Sequence, residues 1–336
     1  MSEINMTKDI DVTGLGDLMI DFSYAGEDEC GRALFARNPA GSMANVLCQV
    51  ARLGGAGMLV TTLGNDVHSR YLYNTALELG LDTSCVTFGT LPTRFMFEYR
   101  DGNNDRYYDD YRCPRNEAQT KLENVDTEKF KHSRFFDIKA IAFDQEDCIT
   151  ETERELLRLA KENDITLAID MQWRGIPLPA QEKAQIIERA KLCGVLKFTD
   201  EELAYYFGMS DIPSGVEAVF AESDCAQLVA VTMGRNGSFL YTRHSHAYSP
   251  AYEVPVADTT GAGDSFMGAL LFGLARSEAR IETLSNQELE KLGDFCNACA
   301  SFSTTKHGSL LSMGTAADAK EIMRSRARIT AEPGKN

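Results

Sequence analysis

The chain has 336 residues, of which 43% are hydrophobic, and its formal net charge is −16. This length fits one large α/β domain with an insertion, and the apolar fraction predicts a sizeable buried core. The strongly negative charge argues against nucleic acid or an anionic membrane as the main partner. An anionic nucleotide stays admissible, because a local anion site together with Mg²⁺ can override the overall field.

The cellular compartment is predicted from two features that the sequence lacks, a long apolar segment and a cysteine framework. No apolar run approaches 18 residues, and the polar, acidic N-terminal segment lacks the hydrophobic region of a signal peptide. The nine cysteines are odd in number and form no recognisable framework, so we expect reduced thiols and a cytoplasmic protein.

The predicted elements alternate between strands and helices along most of the chain. In the first third they are a strand over 12–20, a helix over 42–53, a strand over 58–63 and a helix over 71–79. Further on they are helices over 150–162, 180–192 and 200–207, and strands over 166–170, 195–198, 228–232 and 238–241. No repeat or long linker interrupts this pattern, so we interpret 1–336 as a single domain.

The segment from residue 93 to 111 departs from the alternation. Phe95, Phe97 and Tyr99 alternate as in a strand, and 101–104 supply a hairpin turn before a return strand. An exposed aromatic hairpin inserted in a strand–helix series predicts a lid, and apolar exposure of this kind typically marks an interface or a ligand cover.

The most informative motif is V-A-D-T-T-G-A-G-D-S-F-M-G at 256–268. Val254 and Val256 alternate as in a strand, and apolar residues from Phe266 to Leu274 recur at helical spacing. The small residues of the intervening turn would let a phosphate reach free backbone N–H groups at the helix start. There the helix dipole supplies about half a positive charge.

Asp264 follows this turn directly. A carboxylate beside a bound anion is electrostatically unfavourable unless it accepts a proton from a substrate, so the motif predicts a general base for phosphoryl transfer. The alternative is a helix cap, since aspartate commonly caps helices. Capping alone does not account for the Gly261-Ala262-Gly263 run immediately before it.

Two other nucleotide-binding patterns fail. Gly14 and Gly16 begin a dinucleotide fingerprint, but Met19 stands where its third glycine belongs and no helix is predicted to follow. The Walker sequence G-x-x-x-x-G-K-[ST] does not occur.

Taken together, these motifs resemble the ribokinase-like (PfkB) family of carbohydrate kinases over nearly the full length. The 258–268 run resembles the C-terminal signature of that family, and A-G-S-M-A-N-V at 40–46 with R-L-G-G at 52–55 resembles the N-terminal one. G-N-D at 64–66, D-M-Q-W-R at 170–174 and T-M-G-R-N-G at 232–237 follow in the family's order.

This resemblance implies the ribokinase-like fold, a three-layer α/β/α sandwich with a mostly parallel central sheet and a small β-sheet lid. The lid would comprise about 22–38 and 92–115. The sequence departs from the family at Ala40, Ser69 and Thr199. Thr199 occupies the asparagine position of the family's N-x-x-E motif, so a hydroxyl would have to hold water of the Mg²⁺ shell at this position.

The resemblance also implies roles for individual residues. Asp264 would be the general base, with the backbone amides of Gly261, Ala262 and Gly263 as the anion hole. Sugar contacts are expected at Asp21, Gly41 and Asn45, and nucleotide contacts at Thr232, Gly234, Gly237 and Asn297.

The resemblance implies two metal sites as well. Glu202 would hold Mg²⁺ through water, and Asp258 and Thr260 would hold a monovalent cation such as K⁺. Asp21 could instead be a turn residue, and Asn297 an ordinary helix asparagine.

The substrate is less defined. The stretch beginning Tyr111-Arg112 resembles a segment of fructokinases and, more loosely, of 2-keto-3-deoxygluconate kinases; Asp170 and Arg174 lie where the sugar, or a sugar acid, would bind. Fructose or a related ketose is the first expectation, followed by a 2-keto-3-deoxy sugar acid, then ribose or adenosine. ATP would be the donor. The exposed lid predicts a homodimer, and a catalytically silent binding subunit is the alternative from another class.

Overall fold

The computed structural model describes residues 8–100, 106–109, 115–140, 147–173, 175–209 and 211–329, with the backbone alone for Arg100 and 106–109. Within these ranges, nine strands form the central sheet in the order β13-β12-β11-β10-β9-β8-β1-β4-β5. They are β1 (Ile10–Leu15), β4 (Gly57–Leu63), β5 (Asp82–Phe88), β8 (Ser133–Lys139), β9 (Thr166–Asp170), β10 (Val195–Thr199), β11 (Leu228–Thr232), β12 (Ser238–Tyr241) and β13 (His246–Ser249).

The strands from β5 to β11 across the sheet pair in parallel, and β12 and β13 complete one edge as an antiparallel hairpin. The connecting helices are α1 (Ser42–Arg52), α2 (Val67–Glu78), α3 (Thr127–Phe130), α4 (Cys148–Glu162), α5 (Ala180–Ala190), α6 (Asp200–Phe207), α7 (Ile212–Glu222), α8 (Ala262–Arg276), α9 (Asn286–Ser303) and α10 (Ala316–Ser325). The predicted elements at 166–170, 200–207, 228–232 and 238–241 coincide with β9, α6, β11 and β12.

Two apolar clusters cover the two faces of the sheet. One joins buried side chains of α1, α2, α8, α9 and α10 to the sheet, and the other joins those of α4, α5, α6 and α7. Burying apolar side chains on both faces is what a parallel sheet requires, since its crossover helices pack on both sides. The expected three-layer α/β/α fold is therefore confirmed.

The described residues also form a second sheet, whose four strands have the order β3-β2-β6-β7. Its strands are β2 (Met19–Glu27), β3 (Ala33–Ala40), β6 (Phe95–Arg100) and β7 (Arg106–Asp109). They overlap the two segments expected to form the lid, 22–38 and 92–115, and the first part extends beyond those bounds to residues 19 and 40. We call this unit the small sheet.

Aromatic side chains cover one face of the small sheet. Phe22 stacks on Phe97 with ring centroids 5.3 Å apart, and Phe35 and Phe95 contact the same ring edge-on at 5.0 and 5.9 Å. Because side chains alternate along a strand, Asp21 and Met96 point to the opposite face, where both line a cavity. The small sheet thus has one aromatic face and one face toward the candidate site.

The structure corrects two predicted strands. The strand predicted over 12–20 is two strands, β1 in the central sheet and β2 in the small sheet, because the chain turns at Gly16–Leu18. Residues 254–256 form no strand; Val256 is 62% exposed and borders a cavity. The strand predicted from the alternation of Val254 and Val256 is therefore wrong.

No helix in the described ranges is both long and apolar enough to cross a membrane.

Candidate active site

Two cavities of about 430 Å³ each open near the carboxyl ends of the parallel strands, the edge where open α/β sheets bind ligands. The first lies between the small sheet and the central sheet. The second lies between the Gly234 turn, the segment 251–256 and α9. Thr259 lines both cavities, Gly261 and Gly263 line the first, and Ala262 the second, so the 259–263 turn separates them.

This turn leads directly into helix α8. Gly261 is the N-cap with φ +79°, and a Cβ there would lie 3.0 Å from Cβ of Ser309. Glycine is the residue that adopts this left-handed conformation without strain. The turn therefore brings the start of α8 between the two cavities, where the anion-hole prediction places Gly261, Ala262 and Gly263. Of these, the N–H of Ala262 donates to the carbonyl of Thr259 at 3.3 Å.

Close packing of α1 against α8 places Asn45 beside Asp264. At Gly268 a Cβ would lie 2.5 Å from the carbonyl oxygen of Val46, so only glycine allows this approach of the two helices. Ser265 Oγ and Gln49 Oε1, 2.8 Å apart, add a buried hydrogen bond between them. The motif glycine at 268 is thus a packing residue that sets the site geometry.

Asp264 accepts hydrogen bonds on both carboxylate oxygens. Asn45 Nδ2 donates to Oδ2 at 2.8 Å, and Gln172 Nε2 donates to Oδ1 at 3.2 Å. Burial, followed by the charge of Asp170, raises the pKa of Asp264 to about 7; the Asn45 hydrogen bond and the Lys197 ammonium oppose this rise. The carboxylate therefore has the proton affinity that a general base needs near neutral pH.

Lys197 is the cation at the centre of the acidic residues. Its Nζ lies 2.8 Å from both carboxylate oxygens of Asp170, and both side chains are buried. Burial alone would lower the pKa of Lys197, but the carboxylates of Asp170, Glu202 and Asp264 outweigh that effect and raise it. Burial and the nearby charges of Asp170 and Asp264 raise the pKa of Asp137 well above its usual value.

A second ion pair lies at the turn between β1 and β2. Lys139 Nζ is 2.9 Å from Asp17 Oδ1. Burial by itself would raise the pKa of Asp17, but the ammonium of Lys139 outweighs it and holds that pKa below its usual range. The pair joins the end of β8 to the point where the chain passes into the small sheet.

Glu202 connects two backbone segments. Its Oε2 accepts the N–H of Thr199 at 2.7 Å, and its Oε1 accepts the N–H of Trp173 at 2.8 Å. Thr199 Oγ1 in turn accepts the N–H of Glu202, completing a capping box at the start of α6. The Thr199 hydroxyl thus has a helix-capping partner, and burial raises the pKa of Glu202.

The predicted cation residues organise the turn before α8. Oδ1 of Asp258 accepts hydrogen bonds from the N–H and the hydroxyl of Thr260, and Oδ2 accepts the N–H of Gly308. Within the described residues, the buried hydroxyl of Ser309 has no hydrogen-bond partner. Carboxylate, hydroxyl and carbonyl oxygens of this kind are ligands that suit a hard cation.

The predicted nucleotide residues divide into two groups. Gly234 and Asn297 line the second cavity, where Asn297 Nδ2 donates to the carbonyl of Ser249 at 2.8 Å. Thr232 Oγ1 donates instead to the carbonyl of Phe198 at 3.2 Å, and Gly237 closes the turn by accepting the N–H of Met233. Neither Thr232 nor Gly237 lines this cavity.

The predicted sugar residues meet in the first cavity. Its lining includes Asp21, Gly41, Asn45, Asp170, Glu202 and Thr260 with Asp264 and its turn. Arg112 and Arg174 lie outside the described residues. The sequence assigned no role to Asp17, Gln172 or Lys197. Asp17 lies just beyond the carboxyl end of β1, a position that could have marked it, whereas Gln172 follows the end of β9 and Lys197 lies within β10.

Comparisons with known proteins identify the family of this chain. The pattern of the "pfkB family carbohydrate kinase" matches residues 9–316. Fructokinase-1 of Zea mays is 29% identical over 317 residues, covering 93% of this chain and 97% of the relative.

Solved structures share the fold. The ATP-bound fructokinase of Xylella fastidiosa has a TM-score of 0.82 at 24% identity and covers 94% of this chain and 98% of its own. A Vibrio cholerae O395 fructokinase double mutant, with fructose, ADP and potassium ion bound, has a TM-score of 0.80 at 22% identity, covering 95% and 100%. The chain belongs to the pfkB family of carbohydrate kinases and is a phosphotransferase that acts on a sugar hydroxyl.

Proposed function

We propose that this enzyme transfers the γ-phosphate of ATP to a primary hydroxyl of fructose or a related ketose, with Asp264 as the general base. One observation carries the proposal. Asp264 lies in the first cavity beside the turn that separates it from the second, so a hydroxyl at Asp264 would face a phosphate held by the amides at the start of α8.

The chemistry then follows from the positions of the groups. The Asp264 carboxylate takes the proton of the sugar hydroxyl while the hydroxyl oxygen forms a bond to the γ-phosphorus. The bond between that phosphorus and ADP breaks in the same step. The amides of Gly261, Ala262 and Gly263 stabilise negative charge that develops on the transferred group. In this reaction the protein mainly positions groups and stabilises charge.

The first cavity favours a neutral polyol. Among the described lining residues, five carboxylates (Asp17, Asp21, Asp170, Glu202 and Asp264) accompany one cation, Lys197, which is paired with Asp170. The buried Oδ1 of Asn45 has no partner among the described residues and can accept a sugar O–H. Hydroxyl donors satisfy these acceptors, whereas a carboxylate substrate would be repelled by them. Sequence relatives named fructokinase support the same choice.

The second cavity would take the nucleotide, with Gly234 and Asn297 in its wall. Mg²⁺, when bound, neutralises charge on the phosphates, and Glu202 would hold it through water. The Glu202 oxygens that accept N–H groups of Thr199 and Trp173 retain lone pairs for such a contact.

The role of Asp264 is tested by Asp264→Asn. An amide cannot take the proton, so kcat should fall by about 10²–10⁴-fold while ATP and fructose still bind. In the wild type, kcat/KM should decline below pH 7, because ionised Asp264 is lost as the pH falls through its raised pKa of about 7. Both the kcat of the variant and the pH dependence of wild-type kcat/KM are measured as ADP release in the presence of Mg-ATP and fructose.

The matched control is Asp224→Asn, which changes an exposed carboxylate in the turn before β11 and should leave kcat unaltered. Near-full turnover of Asp264→Asn with normal ligand binding would rule out Asp264 as the base.

The substrate is tested with a panel of fructose, tagatose, 2-keto-3-deoxygluconate, ribose and adenosine. We expect the highest kcat/KM with fructose, because its hydroxyls match the acceptor-lined cavity and it carries no charge. A preference for 2-keto-3-deoxygluconate would contradict this choice. ATP binding without ADP release on any of the five would instead indicate a silent binding subunit.

We further propose that K⁺ binds near Asp258 and Thr260 and activates the enzyme. Ser309 links that region to the anion hole, since its Cβ lies against Gly261. Replacing K⁺ by tetramethylammonium, which is too large for such a site, should lower kcat several-fold, and Asp258→Asn should blunt the response. Equal rates in the two cations would refute the proposal.

The aromatic face of the small sheet is proposed as a homodimer interface, in which a second copy covers the Phe22, Phe35 and Phe97 rings. Tyr24 lies on this face and is 40% exposed, whereas the neighbouring Leu34 is 46% exposed on the opposite face. Sedimentation equilibrium should show a dimer that Tyr24→Arg weakens and Leu34→Arg does not. A monomeric wild type at micromolar concentration would contradict it.

A further inference from the structure

Gln172 has a backbone conformation that its residue type rarely adopts. Its φ is +46°, in the left-handed region, and Asp164 at +51° is the other described non-glycine residue with positive φ. Asp164 lies in the turn before β9, where it suits a tight connection. Gln172 lies just beyond the opposite end of β9, inside the first cavity. Strained residues of this kind persist when their surroundings hold them in place.

Both neighbours of Gln172 are fixed independently. The N–H of Met171 donates to the carbonyl of Lys197 at 3.1 Å, continuing the sheet pairing past β9. The N–H of Trp173 donates to Glu202 Oε1 at 2.8 Å. The Trp173 ring also stacks on Tyr205, with centroids 4.1 Å apart and planes 6° from parallel. The backbone at 172 is therefore clamped from the β10 side and from α6.

The clamped backbone directs the side chain of Gln172 to Asp264. Gln172 Nε2 donates to Oδ1 at 3.2 Å, while Asn45 Nδ2, from α1, donates to Oδ2 at 2.8 Å. One amide donor thus contacts each carboxylate oxygen, from two different elements. Two such contacts fix the plane of the carboxylate, which a single contact would leave free to rotate about its Cβ–Cγ bond.

We infer that Gln172 is a positioning residue for phosphoryl transfer, held in a strained conformation by Glu202 and Trp173 so that its amide orients the Asp264 carboxylate toward the sugar hydroxyl. Because Asp264 is the base only under the proposed function, this role rests on that proposal. Glu202 would then have a second role besides its proposed contact with Mg²⁺, because it also holds the loop that carries Gln172.

The hydrogen bond also favours the ionised form of Asp264, since a donor stabilises a carboxylate more than a neutral carboxyl. Among the residues that the structure describes, the main other charged or titratable groups acting on Asp264 are Asp17 beyond β1, Asp137 on β8, Asp170 on β9 and Lys197 on β10. A substitution at 172 leaves all four in place, so a change in the pH profile reports on the amide of Gln172.

Gln172→Asn and Gln172→Gly test the inference. Asparagine tolerates the left-handed conformation but is one methylene too short to reach Oδ1, and glycine adopts that conformation freely. Both should lower kcat with fructose by roughly tenfold, the size expected for losing a hydrogen bond to a charged group. Both should also move the acid limb of kcat/KM to higher pH, while KM for ATP stays unchanged.

Thermal unfolding separates positioning from structural support. Gln172→Gly relieves the strained backbone, so its Tm should equal or exceed that of the wild type even though kcat falls. Asp164→Gly is the matched control: it relieves the same kind of strain at the far end of β9 and should preserve kcat and the pH profile.

Three outcomes would overturn the inference in distinguishable ways. If both Gln172 variants keep the wild-type kcat and the wild-type acid limb of kcat/KM while Asp264→Asn is inactive, Gln172 has no positioning role and Asp264 remains the base. A lower Tm in both variants with an unchanged acid limb would make Gln172 merely structural. Full activity of Asp264→Asn would overturn the proposed function and the role of Gln172 together.

Discussion

The site depends on how negative charge is held at the carboxyl edge of the central sheet. Asp137, Asp170 and Asp264 lie around the ammonium of Lys197, which contacts both carboxylate oxygens of Asp170. A buried charge without a partner is strongly unfavourable, so the group has to neutralise itself. Asp170 pairs with Lys197, and the raised pKa of Asp137 favours its neutral form. Asp264 is left between these extremes, with a pKa near neutrality.

This balance explains why the same few strands supply both stability and chemistry. β8, β9 and β10 are adjacent and parallel, so their terminal residues Lys139, Asp170 and Thr199 reach one edge of the sheet together. Moving any of these strands by one residue would turn its terminal side chain to the other face. The register of the sheet, set by apolar packing on both sides, therefore also fixes the charges around Asp264.

Most of the fold could be predicted from the sequence because its signals are local. Alternating apolar patterns and glycine stops identified β9, β11, β12 and α6 within the bounds observed, and the aromatic alternation at 95–99 marked a strand of the small sheet. The division of 12–20 between two sheets could not be predicted from local pattern, because it depends on the turn at Asp17 and on its distant partner Lys139.

For the candidate site, the motif residues at 258–268 and at 41–45 could be identified because the motifs are contiguous. Gln172 and Lys197 were missed as functional residues for the opposite reason. Glutamine after a strand and lysine within one carry no signal by themselves, and their meaning comes from contacts with Asp264 and Asp170, 92 and 27 residues away. The positive φ of Gln172 has no mark in the sequence either, since glycine is the residue expected there.

The division of the chain between two sheets at residues 16–18 has a consequence for how this enzyme can diversify. The strands of the small sheet lie in two parts of the chain, one that follows the carboxyl end of β1 and one that follows the carboxyl end of β5. Neither segment supplies a strand to the central sheet, so mutations can accumulate in them without disturbing its register. Under the proposed function, substrate choice can therefore evolve separately from phosphoryl transfer, because Asp21 and Met96 belong to the small sheet and Asp264 does not.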